Sequence, residues 1–205
     1  MIVDSIRGPR RSTRSLEPGL SVVVPVYNSA KTIADLVREL SGALEQTNMD
    51  YEILLVNDGS EDRSWQEIER IAREGDRVRG IDLSRNFGQH NATLCGLREA
   101  RFDLCVTMDD DLQHPPAEIP KLLGRLDEGW DVVYGLARER RHSWLRNLLT
   151  RWTKVVVGQM SGQQRILRQS PFRALRTELR EAFAGYFGPD VLLDVLLGWG
   201  TTRFS

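Results

Sequence analysis

The feature that most constrains the fold of this 205-residue chain is an alternation of apolar strand-like segments with amphipathic helical segments. Leu20–Val26 (LSVVVPV) is rich in β-branched residues, which is typical of a strand buried on both faces. We predict that Asn28 or Ser29 caps the helix that follows. That helix places four apolar residues on one face: Ile33, Val37, Leu40 and Leu44.

The same alternation continues to residue 134. We predict further strands at Tyr51–Val56, Val78–Leu83, Phe102–Met108 and Asp131–Tyr134. We predict helices between them: one carrying Trp65, Ile68 and Ile71, one over Gly88–Ala100, and one from Pro116 or Pro120 to Glu128. Strands that alternate with helices indicate an α/β fold with a mostly parallel sheet and right-handed crossovers.

Three consecutive carboxylates, Asp109–Asp111, follow directly on the apolar segment that ends at Met108. Like charges this close raise one another's pKa and cost free energy unless a cation lies among them. A divalent metal that also binds a phosphorylated substrate meets this need, because hard cations prefer oxygen ligands. Asp111 and Gln113 could reach one ion, with Asp109 beside them. The alternative is a solvated acidic turn.

Asp58 lies at the carboxyl end of the second predicted strand, where it could hydrogen-bond a base or a ribose. The alternative is an Asx turn before Gly59. Ligands of parallel sheets bind outside the carboxyl ends of the strands, so we expect Asp58 and Asp109–Asp111 to meet in one crevice. His114, ahead of two prolines, either supports the loop or takes part in chemistry. The absence of G-x-G-x-x-G and Walker sequences argues against dinucleotide dehydrogenases and P-loop NTPases.

Composition excludes several classes of protein. The net charge of −1 provides no general attraction to nucleic acid. Cys95 and Cys105 lie in apolar segments, as expected of small core residues in a reducing compartment. Residues 1–19 carry four arginines and no apolar signal core, which predicts a flexible basic tail. With no apolar stretch of ~18 residues, we expect a cytoplasmic protein, or a peripheral one on the cytoplasmic face of a membrane.

Residues 138–154 carry five arginines and one lysine against one glutamate. Apolar residues recur through this segment at helical spacing: Trp144, Leu148, Trp152 and Val155. A basic amphipathic helix with tryptophan on its apolar face is typical of a helix at a membrane surface. The alternative is a helix that packs on the core and exposes its basic face.

Four segments together resemble family 2 glycosyltransferases of the GT-A fold, especially the polyprenyl-phosphate sugar transferases. These segments are SVVVPVYN (21–28), EILLVNDGSED (52–62), LSRNFGQHNATLCGL (83–97) and MDDDLQHPPAEIPKLL (108–123). The resemblance implies a Rossmann-like, mostly parallel sheet flanked by helices, with a truncated C-terminal acceptor region. It divides the chain into the tail (1–19), a nucleotide-sugar-binding half (20–135) and a basic amphipathic acceptor region that faces the membrane and is incomplete (136–205).

The resemblance also implies roles for single residues. Those assigned to the nucleotide-sugar are Pro25, Tyr27, Asn28, Asp58, Asp109 and Asp110. Those assigned to Mg²⁺ or Mn²⁺ are Asp109 and Asp111, the ends of the family's D-x-D, and Gln113. Those assigned to the acceptor phosphate are Arg138 and Arg173. Asp111 is also expected to be catalytic.

The sequence departs from the family pattern in two places. Pro171 stands where many relatives carry an acidic residue, so a base is missing there. Because a lipid phosphate is already an anion and can attack without losing a proton, this favours a phosphate acceptor. Asp194 is the better remaining candidate for a catalytic base, and a structural role for it is equally open. The chain also stops at Ser205, before a lid segment that relatives carry.

The leading hypothesis is therefore a metal-dependent, inverting glycosyltransferase that moves a sugar from a nucleotide-sugar to a polyprenyl phosphate. One alternative is a truncated module that binds the nucleotide-sugar, or docks on a partner, without turnover. Another is a glycosyltransferase with a hydroxyl acceptor. The expected partners are the donor, the lipid phosphate and a membrane surface, without nucleic acid; self-association is left open.

Overall fold

The computed structural model describes residues 15–135, 170–188 and 191–205. In these residues six strands form one sheet: β1 (Glu17–Val26), β2 (Tyr51–Asn57), β3 (Val78–Asp82), β4 (Phe102–Thr107), β5 (Val132–Tyr134) and β6 (Arg173–Arg176). The strand order is β3-β2-β1-β4-β6-β5. Strands β1 to β4 are mutually parallel, which confirms the predicted, mostly parallel α/β sheet.

Helices cover both faces of this sheet: α1 (Ile33–Glu45), α2 (Ser64–Glu74), α3 (Gln89–Glu99), α4 (Ile119–Asp127) and α5 (Leu193–Gly200). Two 3-10 segments, Pro116–Glu118 and Thr177–Phe183, complete the described elements. One core cluster joins α1, α2 and α4 to the sheet. A second cluster joins α3, the segment Thr177–Phe183 and α5 to the opposite face. Both faces of β1 are buried, as its apolar sequence predicts.

Strand β6 is antiparallel to its two neighbours, β4 and β5, and was not predicted. Its first residue, Arg173, pairs with Thr107 on one side and Tyr134 on the other. Because β6 runs against the other strands, its amino end lies at their carboxyl edge. The sheet therefore contains residues from both sides of the division that we predicted at position 135.

Two predictions near the amino end of the chain need correction. Strand β1 begins at Glu17, within the range assigned to the tail. Helix α1 begins after Thr32, whose side chain makes no capping bond, so the prediction that Asn28 or Ser29 caps it was wrong. The Asn28 Oδ1 atom instead accepts a hydrogen bond from the Glu61 N–H at 2.8 Å, because the loop after β1 folds across the loop after β2.

Within the three described ranges, no helix has the length and apolar character needed to cross a membrane. The basic segment 138–154, for which we predicted a membrane-surface helix, lies outside the described residues. So does Arg138.

Candidate functional site

The carboxyl ends of β1, β2 and β4 open into a crevice of about 280 Å³. Its walls are formed by Pro25, Val26, Tyr27, Asp58, Asn86, Gly88, Gln89, Asp109, Asp110 and Asp111. Six of these residues were predicted from the sequence as site residues. The expected meeting of Asp58 with the acidic run is found here, because parallel strands end at one edge of the sheet.

The loops that follow β1, β2 and β4 at this crevice each contain a residue with positive φ. These are Asn28 (φ 55°), Gly59 (φ 64°) and Leu112 (φ 56°). A side chain at Gly59 would place its Cβ 2.3 Å from the backbone carbon of Arg85, so only glycine fits there. Leu112 is a bulky residue in a strained conformation. It packs against the core, and this packing sets the course of the acidic loop.

Asp58 is 3% exposed and binds backbone rather than solvent. Its Oδ1 accepts a hydrogen bond from the Phe87 N–H at 2.7 Å, and its Oδ2 accepts one from the Gly88 N–H at 2.9 Å. Asp58 thereby holds the loop that leads into α3 against the crevice. Its direct contact with a nucleoside remains a prediction.

The three carboxylates of the acidic run have separate partners. Asp109 accepts a hydrogen bond from the side-chain amide of Gln89. Asp110 Oδ2 accepts one from the Tyr27 N–H at 3.3 Å, which joins the acidic loop to the end of β1. Asp111 is exposed. Among the described residues, no group of three or more His, Cys, Asp or Glu side chains is arranged to hold a metal ion.

The chemistry of the acidic run nevertheless fits a divalent cation that is shared with a phosphate ligand. Burial, followed by the nearby charges of Asp111 and Asp110, raises the pKa of Asp109 to about 6. A bound cation would relieve this crowding of negative charge. Mg²⁺ is commonly held by one or two carboxylates together with substrate phosphate oxygens, so a cage of three protein carboxylates is not required.

Gln113 and His114 follow the acidic run and differ in their surroundings. The Gln113 backbone N–H donates to Asp111 Oδ1 at 3.0 Å, and the residue is exposed. His114 is buried and stacks on Phe172, with ring centroids 5.1 Å apart. Of the two roles left open for His114, this contact favours loop support.

A buried ion pair lies beside the crevice. Arg173 and Asp194 are each 3% exposed, and an Arg173 Nη1 hydrogen bonds to Asp194 Oδ1. The Tyr134 hydroxyl donates to the same oxygen at 2.6 Å. The sequence predicted Asp194 as a candidate base and Arg173 as a phosphate ligand, but not that they are partners. Of the two roles left open for Asp194, this pairing favours the structural one.

Three residues in this region were missed as site residues: Gln89, His90 and Tyr134. Gln89 and His90 lie within the family-like segment 83–97, so a signal for them was present in the sequence. Tyr134 is 60 positions from the carboxylate that it binds, and no local pattern indicates that contact.

The chain resembles known proteins in both sequence and fold. The model of the family described as "Glycosyl transferase family 2" matches residues 21–186. Undecaprenyl-phosphate 4-deoxy-4-formamido-L-arabinose transferase of Enterobacter sp. (strain 638) is 41% identical over 145 residues, which is 70% of this chain and 44% of that protein. The protein of the same name from Edwardsiella ictaluri (strain 93-146) is 37% identical over 164 residues, 80% of this chain and 50% of that protein.

Among solved structures, the mannosyltransferase PcManGT of Pyrobaculum calidifontis in complex with GDP-Man and Mn²⁺ shares the fold. Its TM-score is 0.61 at 21% identity, over 89% of this chain and 51% of that one. The chain thus spans about half the length of the curated relatives that it matches. The family match begins within β1, covers the crevice and the acidic run, and ends beyond β6. This chain therefore belongs to glycosyl transferase family 2 and has the GT-A fold.

Proposed function

We propose that this chain takes part in a metal-dependent, inverting transfer of a sugar from a nucleotide-sugar to a polyprenyl phosphate. The observation that carries the proposal is the crevice in which Asp58 and Asp109–Asp111 meet at the carboxyl edge of the sheet. The crevice suits a ligand with a neutral nucleoside at one end and a diphosphate at the other. The buried carboxylate lies on the side of the nucleoside, and the run of three carboxylates lies on the side of the diphosphate, where a cation would be shared.

On the donor side, Pro25, Tyr27, Asn28 and Asp58 would contact the nucleoside. Tyr27 is 46% exposed at the end of β1, so its ring is available to a base. Asp109 and Asp111, with Gln113 nearby, would hold Mg²⁺ or Mn²⁺. When bound, the cation would neutralise the charge of the departing diphosphate. Asp110, which is not assigned to the cation, would contact the sugar of the nucleotide-sugar.

On the acceptor side, Arg138 and Arg173 would attract the lipid phosphate. The phosphate oxygen would attack the anomeric carbon in one displacement, so the configuration at that carbon would invert. An anionic phosphate loses no proton in this step. A hydroxyl acceptor would need a general base, and Oδ1 of the buried Asp194 is held by Arg173 and Tyr134. The phosphate acceptor is therefore favoured over the hydroxyl acceptor.

The relatives support this assignment of donor, metal and acceptor. Two curated proteins at 41% and 37% identity carry an undecaprenyl-phosphate acceptor in their names. The PcManGT structure holds a nucleotide-sugar together with Mn²⁺. A polyprenyl acceptor resides in a membrane, so the proposed activity implies peripheral contact with a bilayer.

Asp111→Asn tests the metal role. Asp111 is exposed, and its contact within the described residues is local, so the variant should fold normally. We expect transfer of a radiolabelled sugar to undecaprenyl phosphate to fall at least roughly hundredfold, because the cation's electrostatic contribution would be lost. Asp127→Asn, at an exposed aspartate in the last turn of α4, is the matched control. Full activity of Asp111→Asn would refute the metal role.

Calorimetry of nucleotide-sugar binding, run beside the transfer assay, separates transfer from binding alone. Metal-dependent binding of a nucleotide-sugar without consumption of the donor in the presence of lipid phosphate would support a binding module. Transfer to a hydroxyl acceptor, without transfer to the phosphate, would support the third hypothesis.

A further inference from the structure

Arg173 lines a second cavity, of about 180 Å³, that adjoins the crevice. Gln89 and Asp109 line both spaces, so the donor and acceptor ends of the proposed reaction can meet there. Arg173 is the one lysine or arginine among the described residues of the cavity wall. An anionic group that enters the cavity can therefore pair with the Arg173 guanidinium, while the proposed cation would offset the negative charge of Asp109.

Part of that guanidinium has no partner. Among the described residues, Arg173 hydrogen bonds to Asp194 Oδ1 through Nη1. The Nε atom of Arg173 is buried and has no hydrogen-bond partner there, and a buried N–H without a partner costs free energy. Arginine commonly binds phosphate through two parallel N–H groups of its planar fork. The edge of the fork that contains Nε therefore remains for a ligand.

Tyr134 holds the carboxylate that pairs with Arg173. The Tyr134 hydroxyl donates to Asp194 Oδ1 at 2.6 Å, so this oxygen receives both donors, whereas Oδ2 is buried without a partner. The Tyr134 ring is itself fixed on two sides. It stacks on Phe204, with ring centroids 6.3 Å apart, and the guanidinium carbon of Arg173 lies 5.7 Å from its centroid. These contacts set the direction in which the hydroxyl points.

We propose that Tyr134 is a positioning residue for the acceptor: its hydroxyl holds Asp194 on Nη1 and so keeps the Nε edge of Arg173 free for the lipid phosphate. Without the hydroxyl, Asp194 can turn and pair with two N–H groups of the fork, which is a favoured geometry for arginine and carboxylate. The free edge would then be lost. The inference rests on the proposed function, which assigns the acceptor phosphate to Arg173. It adds a residue to which the family-like segments gave no role.

Tyr134→Phe tests the inference, because it removes the hydroxyl and keeps the ring. Calorimetric titration of the 205-residue chain with farnesyl phosphate in Mg²⁺ measures the affinity for a short polyprenyl phosphate. We expect the variant to bind this probe roughly three- to tenfold more weakly, because part of a charge-assisted hydrogen bond is lost. In NMR spectra of the wild type, the assigned Nε–H resonance of Arg173 should move when farnesyl phosphate is added. In Tyr134→Phe it should move less.

Tyr51→Phe is the matched control, because it removes a hydroxyl from a buried ring beside Arg77 at the opposite edge of the sheet. It should alter neither the affinity nor the resonance of Arg173. A purely structural role of Tyr134 would lower the free energy of unfolding and leave both readings at their wild-type values. In that case the inference fails while the proposed function stands. If the wild-type chain does not bind farnesyl phosphate, the acceptor assignment in the proposed function fails, and the inference fails with it.

Discussion

At the scale of single residues, Asp109 combines burial with nearby like charges. Burial, Asp111 and Asp110 together raise its pKa to about 6, whereas an aspartate in an unfolded chain has a pKa of about 3.9. The folded chain therefore holds a proton on Asp109 more tightly than the unfolded chain does. Ionisation of this carboxyl at neutral pH lowers the free energy of unfolding, and a cation bound at Asp109 would offset that loss.

We predict that Asp109→Asn is more stable than the wild type at pH 7 in the presence of a chelator. The expected gain is about 1–2 kcal/mol, which is below the full value of the pKa shift because the side chain is partly solvated. The folded pKa is raised, so the wild type recovers stability as the pH falls from about 6 to about 4, and the difference should vanish there. Urea unfolding of both proteins at pH 7 and pH 4 measures this difference in the free energy of unfolding. A wild type that is more stable than Asp109→Asn at pH 7 would contradict the prediction.

At the scale of secondary structure elements, the close approach of α3 to the sheet depends on Gly96. A Cβ added at this position would lie 2.4 Å from Val23 Cγ1. Glycine ordinarily weakens a helix by about 1 kcal/mol relative to alanine. Its presence in α3 is explained by this packing, which brings Gln89, at the start of α3, to the wall of the crevice.

We predict opposite effects of the same substitution in two helices. Gly96→Ala should lower the free energy of unfolding by about 1–3 kcal/mol, because the added methyl group overpacks the contact with β1. Gly42→Ala, in α1, meets no atom within 4 Å and should raise it by about 0.5–1 kcal/mol through helix propensity alone. Urea denaturation of the two variants beside the wild type gives both values. Equal effects would refute the packing explanation.

At the scale of the whole molecule, residues that are distant in sequence complete the sheet and the site. Strand β6 lies between β4 and β5, and the Arg173–Asp194 pair joins it to α5. Arg203 makes a two-bond contact with Asp131, and the last residues run beside β5. The end of the described chain is thereby connected to the strands that form the site.

We predict that Asp194→Leu destabilises the fold by about 3–5 kcal/mol, because Arg173 is left buried without its partner. The double variant Arg173→Met with Asp194→Leu should be closer to the wild type, since no buried charge remains. Arg203→Met, which removes a largely exposed cation from Asp131, should cost about 1 kcal/mol or less. Chemical unfolding of the three variants and the wild type gives their free energies of unfolding and tests the expected order of stability. A double variant no more stable than Asp194→Leu would show that unpaired charge is not the cause.

The amino-acid sequence alone predicts five strands, the helices between them and the residues at the ends of β2 and β4. Hydrophobic periodicity is local, so each element is readable without knowledge of its neighbours. Asp58 and Asp109–Asp111 could be placed in one crevice because all parallel strands end at the same edge. The cap predicted at Asn28 or Ser29 failed because Asn28 binds the loop after β2, a contact between segments that are distant in sequence.

The arrangement of β6, Arg173, Asp194 and Tyr134 depends on tertiary contacts that the sequence does not reveal. Strand β6 has four residues, two of them arginines, so its sequence lacks the apolar run that marks a buried strand. Arg173 is buried because Asp194, 21 positions away, compensates its charge. Such compensation depends on strand order and on side-chain distances in three dimensions. Local sequence patterns do not contain that information.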